Sequence, residues 1–334
     1  MSTKQHGLRS VVGRVPASFF GIVLGLVGLG STWRTAADAW NFPTPPGEFF
    51  SLAGVAVWCL VTMLYAAKWV LARHDALAET EHAIQCCFVG LVGVATMLAG
   101  LALLPYSRTA TEILLVLGFA ATFGFALWRT GRLWQGARDP AASTPVLYLP
   151  TVAGSFVTAI VMGALGHQEM GQLAFGAGLL SWLAIESILL HRLYTMPELT
   201  PALRATLGIQ LAPPAVGSVA YLSVNGGVTD IFVHALFGYA VLQLAILLRL
   251  TPWILKQPFS ASYWAFTFGL TAISTAGVKL ASASEDPVLQ FLSLSLFIMT
   301  NAGLFAIIAG SIILLAKGRF LPASVVPVVT TSPQ

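Results

Sequence analysis

Apolar stretches long enough to cross a bilayer follow one another along almost the whole chain: 16–38, 49–71, 83–104, 110–132, 147–166, 170–193, 204–223, 231–254, 260–281 and 288–316. Crossing ~30 Å of hydrocarbon at 1.5 Å per residue takes about 20 residues of helix, and most of these runs exceed that. Short polar or Pro/Gly-rich pieces separate them, among them Pro43–Gly47, His74–His82, Arg138–Pro145, Pro197–Pro201, Asn225–Gly227 and Ser282–Pro287. The pattern predicts an all-α integral membrane protein with ten transmembrane helices over 16–318. A segment 1–15 precedes them and a Pro/Ser/Thr-bearing tail, 319–334, follows.

Composition enters as a check on solvent. Of 334 residues, 57% are hydrophobic and 9% charged, against roughly 25% charged in a soluble domain. So little charge cannot clothe a water-facing globule, which excludes a cytosolic enzyme, a nucleic-acid binder and a disordered regulator. Cys59, Cys86 and Cys87 all sit inside apolar runs, as one adjacent pair and a loner. They form neither a disulfide framework nor a CxxC metal site and read as small buried side chains.

Charge placement tests the count of spans. With the N-terminus inside, Lys4, Arg9, Arg14, Lys68, Arg73, Arg129, Arg132, Arg138, Arg192, Arg204, Arg249, Lys256, Lys317 and Arg319 fall on the cytoplasmic side, 14 of the 17 basic residues. Arg34, Arg108 and Lys279 fall on the other. The positive-inside rule predicts this asymmetry, and one span missed or invented would scramble it. Both termini are therefore expected in the cytoplasm. Ala37-Asp38-Ala39 loosely imitates a signal-peptide cleavage site, but the apolar run before it is longer than the usual h-region, so the triplet reads as a helix end.

The loops alternate in character and pair the spans into five helical hairpins. The odd-numbered spans share peculiarities: Gly21, Gly25, Gly28 and Gly30 in the first, Gly93 and Gly100 in the third, Pro150 opening the fifth, Pro213-Pro214 within the seventh, Gly269 in the ninth. Proline frees backbone carbonyls, and in a membrane such groups survive only against protein, water or a cavity. The odd spans also carry hydroxyls (Ser18, Thr96, Ser155, Thr158, Ser218, Thr267, Thr271, Ser274, Thr275) and almost no ionisable groups. A central cluster of odd helices follows, suited to weak, repeated binding rather than to proton coupling. For each glycine or hydroxyl singly, close packing or a bond within its own helix is the competing reading. Glu186, two-thirds along the sixth span, must be paired or protonated. It is either a coupling carboxylate or the partner of Arg192, Arg204 or Arg249. Neither a metal-ligand set nor a nucleotide or hydrolase motif is found, so no cofactor, metal or catalytic residue is expected.

Several stretches then become recognisable in order over about residues 15–320. Pro16-Ala17-Ser18-Phe19-Phe20-Gly21-Ile22-Val23-Leu24-Gly25, Ala95-Thr96-Met97-Leu98, Leu147-Tyr148-Leu149-Pro150-Thr151-Val152-Ala153, Arg204-Ala205-Thr206-Leu207-Gly208-Ile209-Gln210-Leu211-Ala212-Pro213, Leu248-Arg249-Leu250-Thr251-Pro252-Trp253 and Tyr263-Trp264-Ala265-Phe266-Thr267-Phe268-Gly269 resemble the TehA branch of the tellurite-resistance/dicarboxylate transporter family. That family includes the plant guard-cell slow anion channels. The resemblance implies five hairpins around a central pore with the odd helices innermost, assembled as a homotrimer. It also implies a pore-plugging phenylalanine at Phe268, with Gly21 where the first helix nears the pore. One departure is Gly93, where similar proteins can have proline; glycine permits a bend without forcing it.

Together these readings predict a passive anion channel of the bacterial inner membrane, carrying monovalent anions such as chloride or nitrate and linked by family to tellurite resistance. Phe268 would be the gate, and Gly21, Gly25, Gly93, Thr96, Pro150, Ser155, Pro213 and Thr267 the pore lining. Its partners would be small inorganic or organic anions and the lipid bilayer, with no nucleic acid. The alternative is a secondary transporter of C4-dicarboxylates or an exporter of toxic oxyanions, for which Glu186 is the best support.

Overall fold

A computed structural model describes Arg9, residues 11–136 and residues 139–322. Lys4, Arg138 and positions 323–334 of the expected tail lie outside the described residues. Ten helices carry the fold: α1 (Phe20–Trp40), α2 (Pro45–Leu71), α3 (Leu91–Leu103), α4 (Arg108–Trp134), α5 (Gly154–Ala164), α6 (Gln168–Thr195), α7 (Ala212–Val224), α8 (Ile231–Ile254), α9 (Thr267–Ser282) and α10 (Pro287–Ala316). The Ala37-Asp38-Ala39 triplet lies in the last turns of α1.

Among the described residues, nine helices, counted with the turns that lead into them, are long and apolar enough to cross a membrane. The ninth expected span, 260–281, is not one of them. The reason is physical. Its helix α9 carries Thr267, Thr271, Ser274, Thr275 and Lys279, and from Thr267 to Ala281 every residue except Phe268 and Lys279 is buried. A helix walled in by protein needs no lipid-compatible surface, so hydropathy understates it.

Burial alternates along the chain. In the runs containing α1, α3, α5 and α7, 61–83% of the most apolar stretch is buried, against 22–39% in α2, α4, α6, α8 and α10. The contacts explain the alternation. α1 packs on α3, α3 on α5, α5 on α7, α7 on α9 and α9 back on α1, closing a ring. Each ring helix also packs on the helix that follows it, which covers its outer side.

The ring helices share a second feature. None opens as a plain capped α-helix. 3₁₀ turns at Ala17–Phe19, Ala205–Leu211 and Ala261–Phe266 lead into α1, α7 and α9, a wide π turn at Leu149–Ala153 leads into α5, and a short Cys86–Val89 turn precedes α3. Pro213 and Pro214 therefore stand at the start of α7, after the 3₁₀ turn, rather than kinking the middle of a span. That is where proline costs least, since its missing N–H would be unpaired there anyway. Several covering helices start conventionally instead, with Ser107, Asp230 and Asp286 accepting backbone N–H bonds at the starts of α4, α8 and α10.

The ring closes tightly at the α1–α9 seam. A Cβ on Gly25 would sit 2.4 Å from Thr267 Oγ1, and one on Gly28 would sit 2.2 Å from Thr271 Oγ1. Thr32 completes the seam, donating towards the carbonyls of Gly28 and Thr271, each at 3.0 Å, and lying 2.9 Å from Thr275 Oγ1. Gly28→Val is expected to destabilise the protein by about 1–3 kcal/mol through overpacking. The check is a lowered melting temperature of the purified protein in detergent.

Candidate functional site

A cavity of about 410 Å³ opens at the end of the ring away from Arg9 and is lined almost wholly by the five ring helices. α1 contributes Gly28, Ser31, Arg34 and Thr35; α3 contributes Leu98 and Leu101; α5 contributes Ile160 and Gly163; α7 contributes Val216, Val219 and Ser223. From α9 come Phe268, Thr271, Ala272, Thr275 and Lys279, one stripe at helical spacing. Phe268 is the lining residue nearest the start of α9, eleven residues from Lys279 at the far end of the stripe. It is half-buried, while Thr267 and Gly269 on either side are buried.

The walls are apolar or weakly polar. Thr35 donates to the Ser31 carbonyl, Thr271 to Thr267, Thr275 to Thr271 and Ser223 to Val219, all within their own helices. These hydroxyl hydrogens are thus spent on backbone, as the competing reading of scattered Ser and Thr requires. Arg34 is neutralised: its Nε and Nη2 donate to the two Glu48 oxygens at 2.8 and 2.9 Å, and Nη1 donates to the Ala102 carbonyl. Tyr106, in the α3–α4 turn, donates to the same carboxylate, which raises its phenol above the ordinary value.

Towards the other end of the molecule, Glu186 is 7% exposed and surrounded by neutral donors. Trp182 Nε1 donates at 2.9 Å, Tyr239 Oη at 2.6 Å, and Gln210 Nε2 reaches both oxygens at 2.9 Å. Tyr148 donates as well, and Gln243 stands at 3.5 Å. These side chains come from α6, α8, the 3₁₀ turn before α7 and the approach to α5. The ionic partner expected from Arg192, Arg204 or Arg249 is not what holds the carboxylate. Arg204 instead covers the Trp253 ring at 4.3 Å and pairs with Glu198.

The other residues expected to line a pore lie elsewhere. Gly25 faces Thr267, which is itself buried and donates to the Trp264 carbonyl. Gly93 faces α4, where an added Cβ would come within 2.1 Å of Thr122 Oγ1 and 2.3 Å of the Gly118 carbonyl. That close helix crossing is what glycine serves there. Thr96 accepts from Trp58 of α2. Pro150 is buried in the π turn that opens α5, Pro213 is buried in the first turn of α7 itself, and Ser155 is half-buried near Gly178 of α6. Gly21 is half-buried, with Trp264 Cβ 4.0 Å from where its own Cβ would be. Phe268 is the one expected pore residue that lines the cavity. Lys279, read from sequence only as a face charge, joins it there; the recurrence 268, 272, 275, 279 was the available signal.

A ring of helices around a cavity, shielded by apolar covering helices, marks a multi-pass membrane protein. Comparison with known proteins agrees. Residues 14–312 match the family described as SLAC1, voltage-dependent anion channel, and the chain belongs to that family of anion channels and transporters. It is 34% identical to the tellurite resistance protein TehA homolog of Haemophilus influenzae, over 92% of each chain. It is 24% identical to the S-type anion channel SLAH3 of Arabidopsis thaliana over 90% of this chain and 48% of the plant protein. The figure for the guard cell S-type anion channel SLAC1 of the same plant is 23%, over 86% and 54%. The chain spans about half the length of these plant relatives.

Proposed function

We propose that the chain is a passive channel for monovalent anions such as chloride or nitrate in the bacterial inner membrane, with Phe268 as its gate. The observation that carries this reading is the cavity built from all five ring helices, with Phe268 in its lining. Among the described residues, no carboxylate lines it, and its charged residues are the cations Arg34 and Lys279. A hydrophobic constriction closes such a path by withholding hydration, with no charge needed. Weakly polar walls favour anions that dehydrate cheaply. Ten spans in five hairpins, both termini in the cytoplasm and a homotrimeric assembly belong to the same proposal, the orientation resting on the basic residues.

The second reading is a secondary transporter of C4-dicarboxylates or toxic oxyanions, favoured by Glu186 and by the tellurite-resistance name of the bacterial relative. A coupling carboxylate has to release and regain a proton or substrate, whereas the donors around Glu186 hold it in place. Flux from proteoliposomes separates the two. A channel is expected to dissipate a chloride or nitrate gradient without saturable exchange. Accumulation driven by a pH gradient would establish the carrier instead.

A further inference from the structure

Charge in the cavity is distributed unevenly between its two cations. Arg34 is locked to Glu48 and a backbone carbonyl, so its field is largely cancelled where it stands. Lys279 is half-buried, lines the same cavity, and makes no hydrogen bond or ion pair among the described residues. Asp38, exposed in the last turn of α1, acts on it through space without closing an ion pair. An ammonium closed in no ion pair and set against low-dielectric walls focuses its field into the cavity and raises the local anion concentration. Lys279 lies eleven residues beyond Phe268 on one stripe of α9, about 16 Å along the axis at 1.5 Å per residue. Between them the stripe carries Ala272 and Thr275, too small to bar the way. The Ser31 hydroxyl, also in the lining, has no protein partner among the described residues and is free to donate.

We propose that Lys279 is the anion-recruiting and selectivity-setting residue of the cavity, holding one small monovalent anion there. This rests on the channel reading and deepens it. One positive charge held in no ion pair matches one negative charge. A dianion would keep a surplus negative charge against apolar walls, so the site selects chloride or nitrate over a C4-dicarboxylate.

The test uses planar bilayers and the full chain with Phe268→Ala as the conducting background. On that background Lys279→Gln is expected to lower chloride conductance several-fold in ~10 mM salt, where the screening length is ~30 Å, and to change it little in 1 M salt, where it is ~3 Å. The loss should appear when the dilute solution bathes the Lys279 side. Lys279→Arg should keep the conductance, and Lys279→Glu should reduce the chloride-to-potassium permeability ratio. A second measurement needs no Lys279 variant: in Phe268→Ala alone, current drawn from the Lys279 side should saturate at lower chloride than current drawn from the opposite side. Equal low-salt conductance in Lys279→Gln, or symmetric saturation, overturns the recruiting role while leaving the channel reading intact. A folded Phe268→Ala protein that passes no anion overturns the channel reading itself.

Discussion

Phe268→Ala is expected to raise chloride or nitrate current several-fold in planar bilayers, the largest functional effect of any single change in this molecule. Phe268 is the cavity-lining residue nearest the start of α9, and removing its ring enlarges the cavity at that end. Phe266, two residues earlier, is a built-in control. Its ring stacks with Tyr263 at 6.4 Å and lies where a Cβ on Gly208 would meet it at 2.5 Å, so it wedges the 3₁₀ turn before α9 against the turn before α7. Phe268 has no aromatic partner of this kind among the described residues. Phe266→Ala should therefore lower the melting temperature without a comparable gain in current, since it removes this stacking and wedge and Phe266 is not among the cavity-lining residues. Phe268→Ala should do the reverse. Wild-type current from a well-folded Phe268→Ala protein would sink the gate assignment.

The inner and outer classes of helix were legible in the sequence because they have different solvents. Helices that face lipid are uniformly apolar, whereas helices that face one another and a cavity can carry Gly25, Gly28, Thr267, Thr271 and paired prolines. What the sequence could not convey was direction. Gly93 and Gly25 read alike as openings for a path, yet both serve close helix crossings, and only the three-dimensional position of Thr122 or Thr267 tells which. Pro213 and Pro214 read as a mid-span kink because hydropathy does not separate a 3₁₀ turn from the α-helix that follows it. The neutralisation of Arg34 by Glu48 crosses the α1–α2 turn at no fixed helical spacing. The sequence marks Lys279 as one cation among three on its face; that it closes no ion pair among the described residues, with Asp38 acting only through space, is a property of the assembled ring.

Glu186 is the sharpest case, and it carries the other large prediction. A carboxylate in an apolar span directs attention to arginine, because charge is the first thing a buried charge needs. Here Tyr148, Trp182, Gln210, Tyr239 and Gln243 supply the stabilisation as hydrogen-bond donors, from positions that no sequence pattern links. Two accepting carboxyl oxygens suit five surrounding donors. Glu186→Gln replaces one accepting oxygen with an NH₂ group that faces donors instead of accepting from them. Each buried donor left without an acceptor costs ~1–3 kcal/mol. Glu186→Gln is therefore expected to lower stability by roughly 2–4 kcal/mol, read as melting temperature and monodispersity in detergent. Combining it with Gln210→Ala should cost less than the sum of the two single changes, because they remove the same bond. The same variant also bears on mechanism. A carboxylate that serves only as a clamp predicts that the surviving folded fraction conducts with unchanged selectivity. A carboxylate that couples transport predicts a stable protein whose pH-driven accumulation is abolished. Because the two expectations move stability and transport in opposite senses, one substitution measured both ways decides whether Glu186 holds the four segments around it together or drives a transport cycle.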